Sequence, residues 1–358
     1  MSPPVGAATP GAGAYRPARA VRLGPLAVRV APRSVVVLAV LLLACGGAGV
    51  LALLLGEVQM SMPRLLATAR GEGTGFEEYL VLDSRLPRVV GGLLIGLALG
   101  MSGAIFQTVS GNPLGSPDVI GFETGAATGG LVALLVLGGT FATAAAGAVV
   151  GGLAAALLVY ALALRNGLDG LRLVLIGIGM GSLLLSVNSM LIVQSAIYDA
   201  QEAANWLVGN LAGASWSQLR LLAVVVALLA VAALVLSPAL TILELSEDSA
   251  LGLGQRTARV RLAAVVVGVL LCSVAVAAAG PIAFVALTAP QIARRLTAAS
   301  GPNLVASGVM GALLLVLADH AARELFQPRQ VPVGVVTGLL GGAFLAWLLT
   351  REWRRGRA

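Results

Sequence analysis

The chain has 358 residues, 58% of them hydrophobic and only 11% charged, whereas an ordinary soluble domain is about 25% charged. So much apolar surface needs lipid, and a hydrocarbon layer about 30 Å thick offers backbone amides no water, so each crossing must be a helix of about 20 residues. All 23 basic residues are arginine, set against 16 acidic residues and one histidine, His320; without lysine no Walker A loop can be written, so any ATP that drives the protein is hydrolysed by another chain.

The apolar runs are continuous, without the alternation of a membrane barrel strand, so the expected fold class is all-α and polytopic. Residues 1–34, rich in Pro, Gly, Ala and Arg, read as a disordered cytoplasmic tail. Ser34 to Leu55 is the first span; Leu42-Leu43-Ala44-Cys45 looks like a lipoprotein cleavage box, but the apolar run continues past it. Glu57 to Pro87 is polar enough for an external loop with room for a short helix. Spans two to five fall near Pro87 to Thr108, Val119 to Leu137, Phe141 to Leu164 and Leu171 to Ile197. Tyr198 to Gln218 carries Trp206 and Trp216, whose indoles suit a membrane interface. The sixth span, Leu219 to Leu240, leads into a charged loop, 241–261. Leu262 to Gln291 has no charge and is too long for one crossing; turned at Gly280-Pro281, it gives a seventh span and a shorter eighth that ends near Arg294 and Arg295. Leu304 to Ala322 and Val331 to Leu349 complete ten spans in a permease domain over 35–350, followed by an arginine-rich tail, 351–358.

With both termini inside, the inner segments hold 16 arginines and the outer segments 7. The positive-inside rule therefore favours cytoplasmic termini and an even number of spans. An inverted repeat is faintly visible: Arg85 to Leu94 shares six of ten residues with Arg261 to Leu270, and after a one-residue slip Gly103 and Pro113 fall opposite Gly280 and Pro290. Cys45 and Cys272 lack Cys or His neighbours at ligand spacing, so neither a metal site nor a structural disulfide is expected.

Arg85 to Gly125 contains R-L-P-R, an S-G-A helix, N-P-L-x-x-P and G-F-x-T-G-A; N-W-L-V-G (205–209), A-L-G-L-G (250–254), G-P-I-A-F-V (280–285), A-P-Q-I-A-R (289–294), L-A-D (317–319) and V-P-V-G-V-V-T-G (331–338) follow in order. On these motifs the chain resembles the permeases of the iron-siderophore, haem and cobalamin importer family, and NPLGSPDVIGF is most like the ferric-enterobactin type of subunit. The resemblance implies a permease paired with a second permease, a different chain or a second copy of this one. It implies two ATPase subunits inside that use ATP and Mg, and an external binding protein that delivers the chelate. This chain would then bind no cofactor and no nucleic acid, do no covalent chemistry, and sit in a bacterial plasma membrane.

Site residues follow from the same resemblance. Arg85, Arg88 and Arg323 match arginines that dock glutamates of the binding protein, as planar guanidinium–carboxylate forks can do; the other reading is arginines snorkelling to headgroups. Within the charged loop, a serine cap and an acidic first turn predict a short helix from Glu247 to the glycines. The family places its coupling helix there, so Glu247, Asp248, Ala250, Leu251, Gly252 and Leu253 are the expected ATPase contact, with Leu251 and Leu253 buried in it. Polar Ser186, Asn188, Ser189 and Gln194 in the fifth span could line a wet pathway or be satisfied against another helix. Asp319 suits a structural hydrogen-bonding role. Glu123 stands where the family more often has a small or amide residue, and reads as an inner gate or as a carboxylate reaching the cytoplasmic interface.

Two other classes fit less of the sequence. A proton-coupled secondary transporter would use Glu123 or Asp319 with His320 nearby, and a membrane scaffold has only packing glycines in its favour. Nothing in the residues separates iron chelates from haem or cobalamin.

Overall fold

The computed structural model describes residues 19–23, 26–30, 32–56, 58–163, 170–245, 250, 252–326 and 330–355. Arg19–Leu23 (β1) and Leu26–Val30 (β2) pair antiparallel. The two paired strands fall within the stretch expected to be a disordered tail.

Among the described residues every later regular element is a helix. The helices are α1 (Pro32–Leu54), α2 (Met62–Ala69), α3 (Gly75–Glu78), α4 (Leu86–Ser110), α5 (Phe122–Leu131), α6 (Phe141–Ala163) and α7 (Gly170–Gln194). They continue with α8 (Ile197–Leu207), α9 (Trp216–Leu243), α10 (Thr257–Ala279), α11 (Val285–Thr297), α12 (Leu304–Glu324) and α13 (Val333–Arg355). A π-helical turn, Tyr79–Arg85, joins α3 to α4, and another, Val132–Val136, extends α5. Among the described residues seven helices are long and apolar enough to cross a membrane, and Phe122–Val136 and Val333–Trp347 are shorter apolar helices. With the 13-residue α11 they make ten.

The second span differs from expectation at its amino-terminal end. It runs unbroken from Gly75 to Ser110, because Thr74 starts it with a capping box to Glu77 and because Pro87, in the first turn of α4, lacks only an amide that the π turn leaves free. The Trp206 ring, half-buried, packs where a Cβ on Gly130 would stand. Trp216 keeps to the edge, its indole donating to Leu82 O at 2.8 Å.

α4 is the axis of the bundle and packs against α1, α9, α10, α11 and α12. Its most apolar window is 78% buried, against 11% for α7, so α4 is a core helix and α7 a peripheral one. Glycine makes this possible. A Cβ on Gly96 would meet the Gly311 carbonyl, one on Gly100 the Ser307 carbonyl, and one on Gly103 the Ala286 carbonyl, so main chain lies on main chain along α4. Gly129 and Gly151 do the same between α5 and α6.

Helix lengths express the repeat better than the residue alignment does. α4 to α7 run long, short, long, long, and α10 to α13 repeat that order. The helix breaks start at Gly111 and Gly280, both at positive φ. The slipped pairing of Gly103 with Gly280 is therefore corrected, because Gly103 lies inside α4 while Gly280 ends α10.

Replacing Gly100 by Leu should strain the α4–α12 contact by at least about 1–3 kcal/mol and lower the thermal unfolding midpoint in detergent. Gly46→Ala, which meets open space on α1, should leave that midpoint unchanged.

Candidate functional site

Between α10 and α11 the chain leaves helical geometry at Gly280 (φ 75°) and re-enters it through Phe284 (φ 69°), a left-handed turn made by a bulky residue. The break is held by other non-helical backbone. Asn210 N donates to Ala279 O at 2.7 Å and Gly334 N to Gly209 O at 3.2 Å. Cβ atoms on Gly280, Gly209 and Gly334 would meet the carbonyls of Trp206, Pro281 and Val208 respectively, so glycine is required at all three. N-W-L-V-G, G-P-I-A-F-V and V-P-V-G, distant in sequence, thus form one knot.

The first repeat closes this knot with two carboxylates. Asp118, in the loop before α5, accepts from Phe284 N at 3.0 Å. Glu123, in the first turn of α5 and 4% exposed, accepts from Ile282 N. Both amides lie on the approach to α11, where main-chain donors lack helical partners and the dipole favours negative charge. Glu123 therefore does not reach the cytoplasmic interface: it satisfies a buried amide, a group that left bare costs about 1–3 kcal/mol. Asp118 was not picked out from the sequence, where it is one more polar residue in a loop.

At the end of the bundle where α4 begins, the three arginines separate. Arg85 is 5% exposed, with Nη1 donating to Leu53 O and Nη2 to Val58 O, each at 2.6 Å. It clamps the end of α1 to the π turn, so its expected place on a docking surface is corrected. Arg88 grips Asp319 with Nε and Nη2, at 2.9 and 2.8 Å. Arg323 Nε lies 3.4 Å from Asp319 Oδ2, the oxygen that Arg88 Nε also reaches, and Asp319 is buried between the two guanidinium groups.

Of the expected ATPase contact, Glu247, Asp248 and Leu251 lie outside the described residues. Ala250 is buried and accepts from Gln255 N at 3.0 Å, and Gly252 is helical and exposed. Leu253 stands 66% exposed. Gln255 Nε2 ties this segment to α9 through Ala239 O at 2.9 Å. Glu244, just after α9, pairs with Arg294 of α11 at 2.7 Å.

On α7, Ser182, Ser186 and Ser189 share an exposed stripe, each hydroxyl returned to the carbonyl four residues before it. Gln194 is exposed at the end of the helix. Asn188 is 3% exposed; two positions from Ser186 is about 200° around a helix, so it faces into the bundle and is corrected as a pathway residue.

The profile of the FecCD transport family matches residues 40–351. The chain is 42% identical to the ferric enterobactin transport system permease protein FepG of Escherichia coli K12, across 92% of this chain and 99% of that one. It is 33% identical to the iron(3+)-hydroxamate import system permease protein FhuG of Bacillus subtilis, across 83% and 91%. Among solved structures it matches a metal-chelate type ABC transporter in an inward-facing conformation, with TM-score 0.76 and 27% identity over 88% of this chain and 99% of the other.

Glu123→Ala should expose the cost of the bare Ile282 amide as a loss of about 1–3 kcal/mol, read from thermal unfolding in detergent. Glu123→Gln, which keeps an acceptor oxygen, should recover most of it.

Proposed function

The chain belongs to the FecCD transport family, and from that premise we propose that it is the permease subunit of an ATP-binding-cassette importer that takes iron-siderophore complexes from a binding protein into the cytoplasm. The observation that carries the substrate class is the end-to-end similarity to a ferric enterobactin permease.

Each remaining part has a place in the molecule. A second permease chain covers the exposed face of α7, so that the serine stripe with Ser186 faces the pathway between the two subunits. Two ATPase subunits, carrying ATP and Mg, receive the loop around Ala250, Gly252 and Leu253, whose exposed leucine needs an apolar cleft. The binding protein presents carboxylates to the rim at Arg88 and Arg323, where two guanidinium groups share one acid and leave a net positive charge. In this arrangement both termini are cytoplasmic and the membrane is the bacterial plasma membrane. The two acids that the proton-coupled alternative would use are both engaged: Asp319 is clasped by Arg88 and Arg323, and Glu123 accepts from a backbone amide.

The test is uptake of radiolabelled ferric siderophore into vesicles holding the chain, its partner permease, the ATPases and the binding protein. Uptake should require ATP and fall at least about tenfold, which corresponds to 1.4 kcal/mol or more, when Leu251 and Leu253 are both changed to Asp. Uphill uptake by this chain alone, without a nucleotide-hydrolysing partner, would refute the proposal.

A further inference from the structure

We propose that Glu244 and Arg294 are the positioning pair through which movement of the inner loop reaches α11, a reading that rests on the ATPase contact assigned to that loop above. Glu244 sits where α9 hands over to the loop: its amide still closes on Leu240 O at 3.3 Å, while its carboxylate reaches the last turn of α11. Thr108, in the last turn of α4, touches both partners. Its hydroxyl donates to Glu244 Oε1 at 3.1 Å and lies 3.2 Å from Arg294 Nη2. Three helix ends therefore meet in one polar contact.

Beyond that contact α11 is fastened along its whole length. Gln107 Nε2 donates to Leu287 O at 3.0 Å, and Gln291 Nε2 to Pro113 O at 2.7 Å. Arg33 caps its end by donating to Leu296 O at 2.7 Å, and Asp118 and Glu123 hold the approach to its start. Its 13 residues span about 20 Å, so this one helix, with the groups bonded to it, joins Arg294 at one end to the helix break at the other. Displacement at Arg294 then becomes displacement at Ile282 to Phe284, the helix break inside the bundle. The far side of the loop is fastened to α9 by Gln255, whereas Glu244 carries the connection to α11.

Two further features suit a moving joint. A polar cavity of about 330 Å³ adjoins the pair, walled by Gln107, Asn112 and Gln291, so the side chains can tilt without clash. Arg294 and Glu244 keep 36% and 24% of their side-chain surface exposed, and ion pairs so placed contribute little to folding stability. Breaking this one should uncouple the machine without unfolding it.

The experiment compares Glu244→Gln, Arg294→Gln and the exchange of Glu244→Arg with Arg294→Glu, each in the complete complex with partner permease, ATPases and binding protein. The readout is ATP hydrolysed per ferric siderophore imported, with the unfolding midpoint measured alongside. Each single change should raise the ratio several-fold at an unchanged midpoint, and the exchange should bring it back toward the parent value. A ratio unmoved by the single changes, or not restored by the exchange, overturns the proposal. A photo-crosslinking residue in place of Leu253 tests the premise separately. If it fails to join the ATPase in the parent complex, the reading of the loop falls. If it joins and the ratio stays flat, only the Glu244–Arg294 link falls.

Discussion

A backbone amide that leaves helical geometry inside lipid must find its partner within the protein, and most of this architecture answers to that demand. The bundle contains breaks at Gly280 and around Gly209, with the first turn of α13 at Gly334 packed onto them, and neither break would be tolerated alone. They are tolerated because they are stacked on one another, with Asn210 bonded to Ala279 and Gly334 to Gly209. The amides still left over are met by the carboxylates of Asp118 and Glu123. Discontinuous helices cluster for this reason: one break supplies the acceptors that the next one needs.

The glycines of α4 serve the same end by a different route. Pro290 removes a donor from the interior of α11, leaving the Ala286 carbonyl without its helical bond. Gly103 lets α4 close over that carbonyl, and Gln107 reaches the Leu287 carbonyl beside it. A larger residue at 103 would hold the two helices apart and open the polar seam between them. Packing and hydrogen bonding are a single constraint here, since the close approach that glycine permits is what brings the side-chain donors within reach.

The apolar runs and the turn at Gly280-Pro281 made nearly the whole fold legible, because a crossing helix needs little more than length and absence of charge. What escaped was direction. Arg85 and Arg88 are three residues apart with the same side chain, yet one is turned onto the carbonyls of Leu53 and Val58 and the other onto Asp319. Asn188 and Ser186 share a helix, and only their angular separation puts one inside and the other outside. Asp118 and Glu244 stayed unremarked, since their partners, Phe284 and Arg294, lie far away in sequence. Periodicity reports which residues are apolar; tertiary partners decide where a polar one points.

The two ionic clusters at the ends of the bundle differ in kind. Where α4 begins, Arg88 and Asp319 keep 11% and 6% of their side-chain surface, and the shared acid binds α4 to α12 and to Arg323 as well. Removing one member of a pair so buried costs about 3–5 kcal/mol, because the other charge is left without compensation. At the opposite end Arg294 and Glu244 are several times more exposed, and pairs of that sort are worth about 0.2–1 kcal/mol. Water can take over each partner as it leaves. Of the two contacts, the one that is cheap to part is therefore the one where α9, α4 and α11 end.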